Sequence, residues 1–148
     1  MGRSSSARAL IVLDRTDLTP RLIDVVRWRA RQRSGSFALL VPQLVSEELF
    51  GDQEAQRTLE LAIPALEEAT RGAVTPMTGP PDALLAIQRA LVREHFVEVI
   101  LSTPPDHIPR WLKRDRAAKV ERLGVPVTVV TTNVTRRPLH TVMQFGGA

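Results

Sequence analysis

Five short apolar runs, separated by stretches with helical periodicity, constrain this chain more than any other feature. Ala9-Leu-Ile-Val-Leu-Asp14 and Phe37-Ala-Leu-Leu-Val-Pro42 are nearly continuous in apolar residues, the pattern of strands covered on both faces. Between them Leu18, Leu22, Val25, Val26 and Ala30 recur at helical spacing, with Thr19 as N-cap and Pro20 at the first helical position. A second helix is predicted over 53–70, where Leu59, Ala62, Ile63, Leu66 and Ala69 form a stripe, Asp52 caps and Pro64 kinks. Ala73-Val-Thr-Pro-Met-Thr78 is the third strand. Asp82 opens a helix carrying Leu84, Ile87 and Leu91 on one face, and Val97-Glu-Val-Ile-Leu-Ser102 is the fourth strand. A last helix is expected from Pro109 to Leu123, ending at Gly124, before the fifth strand, Val125–Thr131.

Strand–helix alternation of this kind implies an α/β fold: one three-layer domain, a parallel five-stranded sheet with helices on both faces and right-handed crossovers. Two strand orders compete. In 2-1-3-4-5 the third strand is central, whereas in 3-2-1-4-5 it is an edge. Pro76 has no N–H to give a ladder, which selects the order 3-2-1-4-5. The domain is assigned to residues 9–132, after a flexible polar leader over 1–8 and before a C-terminal tail over 133–148 with no clear periodicity.

Composition removes several classes of function. The 148 residues contain no cysteine, which excludes disulfides, thiol catalysis and cysteine-ligated zinc. No apolar run approaches the ~18 residues that span a bilayer, and the apolar run after the leader is too short to make a signal peptide, so a cytoplasmic protein without membrane association is expected. Charge is segregated. Eight arginines stand against three aspartates in 1–35, and eight Lys or Arg against two acids in 109–148, while the middle of the chain is acidic. A phosphate-accepting receiver needs a carboxylate after strand three, but Thr78-Gly79 stand there. P-loop, dinucleotide Gly-x-Gly-x-x-Gly and Gly-x-Ser-x-Gly patterns are all missing.

Strand order and strand ends together resemble the universal stress protein family over about four fifths of the chain. Leu13-Asp14 matches its aspartate after strand one, Gly79-Pro80 its step after strand three, and Pro126-Val-Thr-Val-Val130 its fifth strand. The resemblance implies an adenine-nucleotide-binding type of α/β domain that often dimerises through the fifth-strand edge. ATP-binding members carry Gly-x2-Gly-x9-Gly-Ser/Thr after strand four, whose bare amides approach phosphates. This chain has no glycine between Gly79 and Gly124, and Pro104, Pro105 and Pro109 occupy that segment. The expectation is therefore a non-enzymatic stress or regulatory module with weak or absent binding of ATP or another adenine nucleotide, without a certain cofactor.

A crevice is still expected where the strand order reverses, between strands one and four. Asp14, Arg15 and Thr16 on one side would face Ser102, Thr103 and Arg110 on the other, with Val41 at the neighbouring strand end. Asp14 suits a ribose hydroxyl or base amine, or it braces its own loop. Ser102 and Thr103 suit phosphate or loop amides, and Arg110 suits an anion. Asp14 with His107 defines an alternative, hydrolysis of a nucleotide or phosphate ester. Three histidines without ligand spacing propose no metal site. Trp28, set among Arg27, Arg29, Arg31 and Arg33, is placed on a solvated helix face, and Trp111 on a basic helix, which leaves salt-sensitive nucleic-acid binding as a further, disfavoured alternative. The fifth strand's valines call for a cover, so a homodimer through that edge is expected, with a regulatory protein as a further partner.

Overall fold

A computed structural model describes residues 7–33, 35–43, 48–104 and 123–131. They form β1 (Ala7–Leu13), α1 (Pro20–Gln32), β2 (Gly35–Pro42), α2 (Glu48–Thr70), β3 (Val74–Gly79), α3 (Ala83–Arg93), β4 (Glu98–Thr103) and β5 (Val127–Thr131). Every pairing is parallel and the order is β3-β2-β1-β4-β5, as the sequence implied. Central β1 has Ile11 between Leu39 of β2 and Ile100 of β4. The two-residue period then divides the core. Ala9, Ile11 and Leu13 pack under α1 and α2 with Phe37, Leu39 and Leu66, while Leu10 and Val12 pack on the other face with Met77, Ile87 and Leu101 under α3. Burial on both faces is why β1, β2 and β4 read as unbroken apolar runs.

Local chemistry sets the element ends. Thr19 Oγ1 accepts from the Leu22 N–H at 3.2 Å, and Pro20 follows at the first helical position. Asp82 caps α3, accepting from the Leu84 and Leu85 N–H groups at 3.0 and 3.4 Å. On β3 the Gly79 carbonyl faces β2, accepting from the Gln43 N–H at 3.0 Å, whereas the Val74 N–H points to the open edge and donates to Glu67 Oε2 at 3.0 Å. Pro76 shares the parity of Val74. Its missing donor therefore faces away from the ladder, and the edge strand accommodates it without a lost bond.

Three local expectations need correction. The second helix begins at Glu48, not 53, so Asp52 lies inside it and is not its cap; the helix runs through exposed Pro64. β1 begins at Ala7, which takes Ala7 and Arg8 out of the leader. Arg8 pairs with Glu94, donates to Ser36 Oγ at 3.3 Å and lies over the Phe96 ring at 4.9 Å, tying β1 to the end of α3. Arg29, expected on a solvated face, instead turns inward to pair with buried Glu98 of β4, while neighbouring Trp28 is 54% exposed. Burial, and after it the charge of Arg33, lowers the Arg29 pKa from the ordinary arginine value. The leader residues 1–6, the expected last helix up to residue 122 and the tail from 132 lie outside the described residues; Leu123 itself packs in the α3 layer.

Candidate functional site

At the carboxyl end of the sheet, β1 and β4 stay in register for one step beyond the Leu13–Ser102 pair, because the Asp14 N–H donates to the Ser102 carbonyl at 2.9 Å. That places Asp14 beside Thr103. Thr103 Oγ1 donates to Asp14 Oδ2 at 3.2 Å, and both residues are almost wholly buried. A buried carboxylate needs such donors, since desolvation otherwise disfavours its charge. Ser102 lies on the opposite sheet face, fully buried, and its Oγ has no hydrogen-bond partner among the described residues. Asp14 and Thr103 thus form a polar pair across the strand ends where the order reverses, with the Ser102 hydroxyl buried on the other face.

The chain leaves this pair through Arg15, whose φ of 60° is in the left-handed region that a side chain rarely adopts. This turn carries the loop sideways toward β2 and leaves the Arg15 Nε 3.8 Å from Asp14 Oδ1. A cavity of about 430 Å³ opens there. Leu13 and the β2 end residues Val41 and Pro42 supply its strand wall, and Arg15, Thr16 and Asp17 its loop wall. Glu54, Ala55 and Thr58 on α2 close the third side. Apolar Leu13, Val41 and Ala55 face a rim of hydroxyls, carboxylates and one guanidinium. That combination suits a flat, largely apolar group with polar edges and an anionic extension, at a volume ordinary for small-ligand sites.

The expected residues therefore separate into two groups. Arg15, Thr16 and Val41 line the cavity; Asp14 and Thr103 pair beside it, with Ser102 buried on the other face of the sheet; Arg110 and His107 lie outside the described residues. The α2 wall is absent from the sequence reading. Its signal was present, because Ala55 stands four residues before Leu59 and extends the inward stripe by one turn, with Glu54 and Thr58 flanking it. Among the described residues no group of three or more histidines and carboxylates is arranged to hold a metal ion. Nor is any described helix long and apolar enough to cross a membrane.

An open parallel sheet with a cavity at its carboxyl ends defines the class, and comparison narrows it. No family model matches the chain, and no curated protein matches it by sequence. Solved structures do match. A universal stress protein from Archaeoglobus fulgidus superposes with a TM-score of 0.62 at 13% identity, over 84% of this chain and 93% of that one. The A. fulgidus universal stress protein in complex with dAMP gives 0.58 at 12% identity, over 86% and 98%. A universal stress protein family protein from Arabidopsis thaliana with AMP bound gives 0.58 at 15% identity, over 86% and 92%. The chain has the universal stress protein fold.

Proposed function

We propose that the chain is a non-enzymatic regulatory module of the universal stress protein type, working in the cytoplasm, that takes an adenine nucleotide weakly. The cavity between β1, β2 and α2 carries this reading. Leu13, Val41 and Ala55 offer the base an apolar bed, Thr16 and Thr58 offer polar contacts, and Arg15 stands where a phosphate would leave the cavity. Structures of this fold with AMP and dAMP bound support the choice of ligand class. Weak binding follows from the sequence, since a segment without glycine and with three prolines lacks the amide cradle that grips a triphosphate. Asp14 is engaged by Thr103 and flanked by Arg15, an arrangement that favours bracing the loop over proton transfer.

Thermal-shift titration with adenosine, AMP and ATP tests this, because a ligand of the native state stabilises as ln(1 + [L]/Kd). Wild-type protein should show a saturable rise with AMP and ATP. Arg15→Ala should weaken both more than it weakens adenosine, and Ala55→Leu, which fills the bed, should abolish all three. No saturable shift at millimolar nucleotide, or shifts indifferent to both substitutions, would overturn the reading.

β5 pairs with β4 on one side, and its outer edge has no partner strand among the described residues. A second copy laid along this edge would cover it. Light scattering at high protein concentration should report a dimer, and a monomer there removes this assignment.

A further inference from the structure

The opposite end of the molecule carries a second concavity. Helix α1 starts at the cavity described above and runs back along the sheet for 13 residues, about 20 Å at 1.5 Å per residue. Its last turns meet the end of α2, and between them lies a groove of about 500 Å³. Arg27 and Arg31 enter it from α1 and Arg71 from the end of α2, with Glu68 as the only acid in its wall among the described residues. Arg27 has an exposed partner, Asp24, at 3.5 Å, whereas Arg31 and Arg71 form no ion pair among the described residues. Arg71 has a φ of 61°, so the chain holds a non-glycine residue in the left-handed region at the point that carries this third guanidinium.

Helix dipoles explain part of this charge. The carboxyl ends of α1 and α2 each present about −0.5 charge, and basic side chains there are stabilising. Asp24 offsets Arg27, and Glu68 with the two helix ends, at about half a charge each, offset about two charges more, so the groove is close to neutral as a whole. What sets the groove apart is that two of its guanidinium groups, Arg31 and Arg71, form no ion pair among the described residues, next to a helix end that also carries Arg33. Guanidinium groups that converge on a groove are suited to the oxygens of a phosphoryl group, which they engage in pairs.

We propose that the groove between the ends of α1 and α2 is a second anion site, which takes the phosphoryl group of a small phosphorylated molecule through Arg27, Arg31 and Arg71. Its guanidinium groups are gathered in one pit bounded by two helix ends rather than drawn out along a track, which favours a compact ligand over a nucleic-acid backbone. The site is independent of adenine-nucleotide binding at the strand ends.

Titration of the full chain with inorganic pyrophosphate at constant ionic strength, followed residue by residue in amide NMR spectra, tests the assignment. Saturable shifts at Arg31, Thr70 and Arg71 are expected. Arg31→Gln/Arg71→Gln should weaken pyrophosphate at least about tenfold with an unchanged fold by circular dichroism, and Glu68→Gln should tighten it about twofold to threefold. Shifts confined to Arg15 and Thr16 would place the anion in the other cavity and overturn the proposal. So would shifts that chloride reproduces at equal ionic strength, or an arginine-dependent response to a single-stranded oligonucleotide with none to pyrophosphate.

Discussion

Removing either member of the Arg29–Glu98 pair should destabilise the protein far more than removing both. The two side chains are 19% and 8% exposed and join the last turn of α1 to the first residue of β4. Arg29→Met leaves the Glu98 carboxylate buried without its guanidinium, and Glu98→Leu leaves the guanidinium without its acid. Breaking a buried pair costs roughly 3–5 kcal/mol, and the solvent reaching Arg29 argues for the lower figure, about 3 kcal/mol. For a chain near 150 residues, each kcal/mol moves Tm by about 2–4 °C, so each single variant should melt about 6–12 °C below wild type. The double variant Arg29→Met/Glu98→Leu buries two apolar side chains and should recover to within about 1 kcal/mol. Denaturant unfolding of the four proteins closes the cycle, with an expected coupling above about 2 kcal/mol. Additive costs would show that the pair contributes little and that Arg29 only packs against the sheet.

Ser102→Ala removes a fully buried hydroxyl that has no partner among the described residues. It should raise Tm by about 2–4 °C, for about 1 kcal/mol of relieved desolvation, and a fall in Tm would reveal a bond the hydroxyl makes. Gly79 is the close contact between the end of β3 and α3, since a Cβ there would stand 2.9 Å from the Ala86 Cβ. Gly79→Ala should cost about 1–3 kcal/mol by displacing α3, measured by urea unfolding, and Ala86→Gly in the same chain should return part of it.

What the sequence revealed and what it concealed divide along a physical line. β1, β2 and β4 were legible because burial on both faces forces an unbroken apolar run, and Pro76 chose between two strand orders because one missing donor is tolerable only at an edge. Thr19 and Asp82 were legible as caps because the signal is local. Features that join distant segments were not. Arg29 reads as one more charge on a solvated face, and only the packing of α1 on β4, 69 residues later, turns it inward to Glu98. The α2 wall of the cavity was hidden for a related reason. Placing the helix start at 53 made Glu54 and Ala55 end residues, whereas the extra turn from Glu48 sets them well inside a helix that crosses the carboxyl end of β2.

The composition of the cavity wall also decides how nucleotide binding should respond to salt. An amide cradle holds phosphates with uncharged dipoles in contact with the ligand, an interaction that dissolved ions screen little. This chain has prolines in place of that cradle, and the cation in its cavity wall is Arg15, a solvent-exposed side chain. A full charge at such a position is screened over a Debye length of about 10 Å at 0.1 M salt and about 3 Å at 1 M. Affinity for ATP should therefore fall several-fold between 0.05 and 0.5 M sodium chloride, while affinity for uncharged adenosine, held by the apolar bed, should stay constant or rise slightly. Calorimetric titration at the two salt concentrations separates these contributions. ATP affinity that ignores salt would mean that neutral backbone donors hold the phosphates after all, and that the segment after β4 closes over them without glycine.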